Sequence, residues 1–369
     1  MSMKTGIVGL PNVGKSTLFN AITNSHVLAE NYPFATIKPN EGIVTVPDER
    51  LEYLSSLYKP NKTTFATFTF YDIAGLVKGA SKGEGLGNQF LAAIRECDAI
   101  CEVVRCFESE NIVHVEGSVD PKRDIETIDL ELAMADLETV NNRIGKQEIK
   151  ARVAKDKQAI YEMPILTALK EVLEQGIPGR RAKGLNEEQF AYARKNLFLL
   201  TLKPILYVAN VSDDGYADVE NNKYFKVVEE IARQEGTIAI PVSCEIECEI
   251  SQLPKEERKD FLDSLGAKES GLDRLVKASY SLLDLATFFT TGKDECRAWT
   301  FKKGMKAPEC AGIIHTDFEK GFIRAEVTSY EDLHALGSEE AVKESGKLRL
   351  EGKDYVMQDG DICYFRFNV

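Results

Sequence analysis

The chain opens on a short apolar run, Thr5-Gly6-Ile7-Val8, followed by Gly9-Leu10-Pro11-Asn12-Val13-Gly14-Lys15-Ser16-Thr17 and then by Leu18-Phe19-Asn20-Ala21-Ile22. Strand, glycine loop and helix in that order constrain the fold more than any other stretch. A Gly-x-x-x-x-Gly-Lys-Ser run in this context is a phosphate-binding loop. Glycines let successive backbone N–H groups turn inward on an anion, and the helix behind them presents its positive end to the same charge. Lys15 reaches the outer phosphates, and the Ser16 hydroxyl is placed to ligate Mg2+. Asn12, Val13, Gly14, Lys15, Ser16 and Thr17 are therefore the expected phosphate cradle of a nucleoside triphosphate site. The fold class this predicts is α/β, with a mostly parallel sheet.

The rest of the chain, 369 residues in all, is long enough for two or three domains. Strands are expected over 65–72 and 99–107, with a helix over 87–97 between them. From Asp120-Pro121 the pattern changes. Ile125, Ile128, Leu132, Ala135, Leu137 and Ile144 recur at three- and four-residue steps among many charges, and Ile165, Leu166, Leu169, Val172 and Leu173 mark a second helix. A third helix is expected over 187–199. We read 123–200 as an antiparallel helical or coiled-coil insertion. Strands return over 204–210 and 239–243, so the α/β domain comprises 1–122 and 201–281. The segment 283–367 reads as a small mixed β domain, with strands over 296–301, 322–327 and 362–367 and one covering helix over 308–315.

Composition excludes some classes. No run of eighteen apolar residues exists, so no membrane partner is expected. The eight cysteines form no C-x-x-C pair, which reads as reduced thiols in a cytoplasmic protein. A net charge of −13 argues against coating nucleic acid by bulk electrostatics, and no DNA partner is expected. A local basic face remains open. Lys302, Lys303, Lys306, Lys320 and Arg324 lie near Trp299 and Phe301, which fits either RNA contact or a solvated edge over core aromatics.

The companions of the phosphate loop narrow its chemistry. Asp72-Ile73-Ala74-Gly75 ends a predicted strand, where Asp72 holds Mg2+ directly or through water and the Gly75 amide meets a γ-phosphate. Thr36, between the two motifs, is the candidate second hydroxyl ligand of the metal. Leu76 stands where related enzymes carry a glutamine that orients the attacking water, so intrinsic hydrolysis is expected to be slow. Two residues are candidates to supply what is missing. Asn12 is placed to ligate a potassium ion beside the phosphates, or else makes a plain loop hydrogen bond. His114 suits proton transfer at neutral pH, or else is a packing histidine. The glycine-rich stretch 78–87 reads as a nucleotide-sensitive switch or a surface loop.

Asn210-Val211-Ser212-Asp213 follows a strand end, and Ser243-Cys244-Glu245 follows the next; both positions border a base. GTPases of this topology carry Asn-Lys-x-Asp at the first. Val211 replaces the lysine that packs on the base, which weakens a guanine site. Asp213 leaves the guanine-type acceptor in place.

The motifs at 9–16, 31–37 and 72–80 resemble those of the Obg-like ATPase family, also called YchF, and the likeness spans essentially the whole chain. It implies an Obg-type G domain, a coiled-coil arm and a C-terminal β-grasp module of the TGS type. It further implies ATP hydrolysis and association with the ribosome through ribosomal RNA or protein, with Ser16 and Thr36 on Mg2+. ATP is then favoured over GTP, adenine being read by Asn210 and the backbone at Val211, with Ser243 beside it. The alternatives are a GTPase of the same architecture and a nucleotide-sensing scaffold whose turnover is incidental.

Overall fold

A computed structural model of the chain describes residues 3–27, 40–73, 86–216 and 218–368. The calls at Thr36, Gly75 and Leu76, and the glycine stretch over 78–85, lie outside the described residues. The described chain separates into two compact units, the first built on 3–25, 40–42 and 69–275, the second on 43–68 and 276–368.

The first unit is organised on a six-stranded sheet. Its strands are β1 (Lys4–Val8), β2 (Glu41–Thr45), β4 (Thr67–Asp72), β5 (Ala99–Arg105), β6 (Ile205–Asn210) and β7 (Ala239–Val242), in the spatial order β2-β4-β1-β5-β6-β7. The chain carries β3 (Lys62–Thr64) between β2 and β4. The pairs β1–β4, β1–β5, β5–β6 and β6–β7 are parallel, with Ile7 opposite Asp72, Val8 opposite Glu102 and Asn210 opposite Val242. Every residue of β5 and β6 is buried, as a parallel sheet covered on both faces requires. From β1 the chain turns first toward β4 and then toward β5 on the other side. The loop after β1 therefore sits where the strand order reverses, the place at which open α/β sheets bind ligands.

Between β5 and β6 the chain builds a helical lobe from Pro121–Arg152, Lys157–Leu173 and Glu187–Asn196. Asp120, Asp156 and Asn186 cap these helices by accepting the N–H groups of Arg123, Ala159 and Gln189. Ala133, Val140, Ile165, Leu166, Leu169, Leu173 and Ala193 make their common core. Asp136 ties the lobe to its return segment, accepting from Leu200 N at 2.9 Å and Thr201 N at 2.7 Å. An ion cluster fixes it to the sheet. Arg180 reaches Asp129 at 2.6 Å and Glu235 at 3.0 Å, and the Tyr207 hydroxyl donates to Glu235 at 2.7 Å. Glu102 lies buried with neither carboxylate oxygen hydrogen-bonded among the described residues, and burial followed by Asp129 pushes its carboxyl well up.

The second unit carries another six-stranded sheet, in the order β11-β10-β12-β8-β9-β3, from β8 (Leu285–Thr290), β9 (Glu295–Lys302), β10 (Phe322–Ser329), β11 (Arg349–Glu351) and β12 (Asp361–Phe367) with β3. Helix Ala307–Ile314 covers a core of Phe288, Phe301, Phe322, Val327 and Phe365. The expectation of one covering helix over 308–315 is corrected here. Thr316–Lys320, Tyr330–Leu336 and Glu339–Glu344 are also helical. The last two begin at serine caps, Ser329 and Ser338, followed by acidic first turns that suit a helix N-terminus. They are too short for a clear apolar period.

Candidate functional site: a phosphate loop at the carboxyl ends of the strands

Helix Lys15–Val27 starts directly from the loop that leaves β1, so its N-terminal N–H groups face the crevice. Gly14 takes φ +105°, and a Cβ there would lie 2.3 Å from Asn210 Nδ2. Only glycine fits. Asn12 also has a left-handed backbone, φ 62°. Its carboxamide donates to Val113 O at 3.2 Å, fastening the loop to the segment after β5. Val13 is buried, Thr17 half-buried and Ser16 exposed.

Lys15 is buried, and its Nζ donates to Leu10 O at 2.7 Å. Burial pushes its ammonium down to about 8, while Asp72 pulls the other way. Asp72, at the end of β4, is raised by burial and lowered by Lys15. The described part of the crevice thus joins a cation held in a costly place, a facing carboxylate and a hydroxyl.

The base-side residues are brought together, but not as a set aimed outward. Asn210 Nδ2 donates to Val13 O at 2.8 Å, and its Oδ1 accepts from Cys244 N at 3.1 Å. It ties the phosphate loop to the loops after β6 and β7. Val211 is buried and its N–H goes to Val242 O at 2.9 Å. Ser243 caps helix Cys244–Gln252 through Ile246 N at 3.3 Å and donates its hydroxyl to Asp213. Asp213 is exposed at the start of helix Asp213–Tyr216, and burial, then Asp213 alongside, push the Glu245 carboxyl up.

His114 is buried and engaged at both ring nitrogens, with Nε2 2.8 Å from Asp124 Oδ2 and Nδ1 3.1 Å from Glu116 N. Two residues of this constellation escaped sequence reasoning. Asp124 sits in the first turn of helix Pro121–Arg152. Arg105, fully buried at the end of β5, donates to Phe107 O at 3.0 Å and Ile112 O at 2.9 Å and lies over the Phe107 ring. A charged residue closing a buried strand was the available signal for Arg105; Asp124 had none.

Comparison with known proteins places this geometry. Residues 4–156 match a family model described as 50S ribosome-binding GTPase. Residues 285–368 match the YchF-GTPase_C model, described as a protein of unknown function (DUF933). A Bacillus subtilis protein named Ribosome-binding ATPase YchF is 59% identical over 369 residues, covering 100% of both chains. The chain belongs to the YchF family. An Escherichia coli O157:H7 member with the same name is 52% identical over 369 residues, again covering 100% of both chains. The solved structure of the Schizosaccharomyces pombe YchF GTPase superimposes with a TM-score of 0.88 at 41% identity, covering 99% of this chain and 98% of that one. The crevice is thus that of a P-loop nucleoside triphosphatase of the YchF family.

Proposed function

We propose that the chain hydrolyses ATP to ADP and phosphate with Mg2+ and works as a slow nucleotide switch on the ribosome. The observation that carries this reading is Lys15, a cation buried at a loop closed by Gly14 and facing the end of β4. An anion of high charge is what such a group lacks. The names of relatives matched over their whole length support ATP as the nucleotide and the ribosome as the partner. In this reading Asn12 to Thr17 hold the phosphates and the Gly75 amide meets the γ-phosphate. Ser16 and Thr36 would ligate the magnesium, and Asp72 would hold it directly or through water. A hydroxyl with a carboxylate is a hard-oxygen donor pair that suits Mg2+, and the ion supplies charge neutralisation on the phosphates. Asn210 and Ser243 act by positioning the loops around the base, with Val211 backing it. Residues 1–122 with 201–281 are the G domain, 123–200 the arm, and 283–367 the TGS-type module. Ribosomal RNA or protein is the docking partner, and the cytoplasm is the site of action.

Potassium beside Asn12 is the proposed activator. The carboxamide spends its N–H on Val113 O, and its oxygen has no hydrogen-bond partner among the described residues. Proton transfer by His114 requires the ring to exchange Asp124 or Glu116 N for water, so its turnover role and its loop-holding role separate in a His114→Ala variant. The GTPase reading rests on Asp213, whose acceptor already receives Ser243. Competition of ATP and GTP for the free protein, turnover in potassium against sodium, and nucleotide-dependent co-sedimentation with ribosomes test the proposal. Tighter GTP binding overturns the base assignment, and ribosome-independent turnover without co-sedimentation overturns the switch.

A further inference from the structure

The short helices Tyr330–Leu336 and Glu339–Glu344 line a cavity of about 170 Å³ together with β10, β12 and the end of helix Glu49–Tyr58. Strand register explains its floor. Glu326 of β10 stands opposite Tyr364 of β12, and Thr328 opposite Ile362. Residues opposite or two apart share a face of a sheet, so Arg366 joins these four. The core of the second unit lies on the other face, where Val327, Cys363 and Phe365 pack. Leu333 and Val342, both buried, come down on the cavity from the helices. Protein interiors leave few voids of this size. A cavity of about 150 Å³ admits benzene, so this one takes a molecule of slightly more heavy atoms.

The polar groups of the cavity say what kind of molecule. They form two pairs, one on the sheet and one on a helix. On the sheet, Arg366 Nε donates to Glu326 Oε1 at 2.9 Å, and the guanidinium lies over the Tyr364 ring at 4.4 Å. On helix Glu339–Glu344, Lys343 Nζ stands 3.8 Å from Glu339 Oε2, beyond hydrogen-bond reach. Tyr58 fixes Glu339 by donating to its Oε1 at 2.7 Å. Much hydrogen-bonding capacity is left unspent. Both Nη groups of Arg366, Oε2 of Glu326 and Oε2 of Glu339 have no hydrogen-bond partner among the described residues. Two carboxylates stand against two cations, so neither a polyanion nor a polycation gains from this rim. A ligand with one charge of each sign does.

We propose that this cavity binds a free aliphatic α-amino acid. The ligand carboxylate takes the open fork of Arg366, whose parallel N–H groups match a carboxylate in two bonds. The ligand ammonium donates to Glu339 Oε2 on the other wall. The side chain lies on Leu333, Val342 and Ile362. A quaternary ammonium has no N–H to give Glu339, and a charged side chain would sit unpaired on that apolar floor. The site is built from the second unit alone and is independent of the nucleotide reading.

The test titrates the full-length protein with L-leucine, L-isoleucine and L-valine up to about 10 mM, read by calorimetry and by the thermal midpoint. At least one is expected to bind with a Kd of about 0.1–1 mM, the range open to a ligand of this size. Isocaproate, which lacks the ammonium, and isoamylamine, which lacks the carboxylate, bind about tenfold more weakly or not at all. Arg366→Gln changes a half-exposed side chain, so the fold is retained while amino-acid affinity falls about tenfold or more. Glu339→Gln keeps an acceptor for Tyr58 and lowers amino-acid affinity without lowering that of isocaproate. Binding of none of the three amino acids to wild type overturns the proposal. Equal affinity in wild type and Arg366→Gln does so too. Isoamylamine bound as tightly as L-leucine assigns the cavity to a simple cation and also overturns it.

Discussion

Binding of a nucleoside triphosphate is expected to draw a proton onto Lys15. The ammonium is buried beside Asp72 and held at about 8 against an ordinary 10.5. At pH 8 Lys15 is therefore about half deprotonated, and at pH 7 about a tenth. Phosphate oxygens restore the charged form, so association takes up about 0.5 proton per nucleotide at pH 8 and about 0.1 at pH 7. Affinity follows, falling about tenfold between pH 7 and pH 9, or about 1.4 kcal/mol. Isothermal titration in buffers of different ionisation enthalpy reads the proton number directly, with Mg2+-nucleotide, whose phosphates no longer titrate there. The stability sign is opposite to that of a salt-bridged lysine. The folded value lies below the unfolded one, so the cost of holding the ammonium is full below pH 8 and fades as pH rises toward 10.5. It amounts to about 3 kcal/mol at neutral pH. Lys15→Met is then expected to gain stability at pH 7 more than at pH 10 while losing nucleotide binding. No proton uptake at pH 8, with affinity flat from pH 7 to pH 9, refutes the reasoning.

Four further outcomes follow from other parts of the first unit. Gly14→Ala places a Cβ 2.3 Å from Asn210 Nδ2 at φ +105°, so nucleotide affinity is expected to fall more than tenfold, with lower thermal stability; calorimetry showing wild-type affinity contradicts this. Glu247 is buried in helix Cys244–Gln252, accepts Gly271 N at 2.6 Å, and is raised by burial to about 7. Its folded value exceeds the unfolded one, so the stability it contributes is present below about pH 4.5 and is lost as pH rises through 7. Glu247→Gln is expected to gain on wild type by up to about 3 kcal/mol between pH 5 and pH 8, read by denaturant titration at both. Arg180→Met removes the buried guanidinium of the ion cluster and leaves Asp129 and Glu235 to the more exposed Arg181, and it is expected to cost about 3 kcal/mol. Glu102→Gln, which replaces a carboxyl that burial pushes well up with an uncharged group of similar shape, is expected to stay within about 1 kcal/mol of wild type in the same assay.

The phosphate loop was legible because its chemistry is contiguous. Gly14, Lys15 and Ser16 need only a strand before them and a helix after, and both lie within a dozen residues. Asn210 was legible as the residue that ends β6, but its hydrogen-bond partners were not. Its partners, Val13 O and Cys244 N, come from loops far off in sequence, and its carboxamide bridges those loops. Arg105 and Asp124 were missed because each spends its charge on groups no pattern announces, backbone carbonyls in one case and a histidine ring in the other. Residues 43–68 show another limit. Leu51 and Leu54 mark helix Glu49–Tyr58 as amphipathic, yet an apolar stripe does not say which sheet it covers. The second sheet takes β3 beside β9.

Residue choice at two left-handed positions shows how strain is resolved in this chain. Asn is among the few residues with a Cβ that tolerate this backbone. At position 12 it also carries a donor that reaches Val113 O. Glycine would relax the turn but release the segment after β5, and a larger apolar residue would meet neither need. That segment is held from the other side by Arg105 through Ile112 O, and its His114 by Asp124, so the phosphate loop, the sheet and the first turn of the long helix meet on one stretch of chain. The remaining left-handed residues with a Cβ among those described, Asn40, Lys59, Lys155 and Asp284, are polar and of the kind that water or a cap satisfies. Phe198 is the exception. Its ring is exposed, and no side-chain hydrogen bond or ring contact among the described residues offsets its strain.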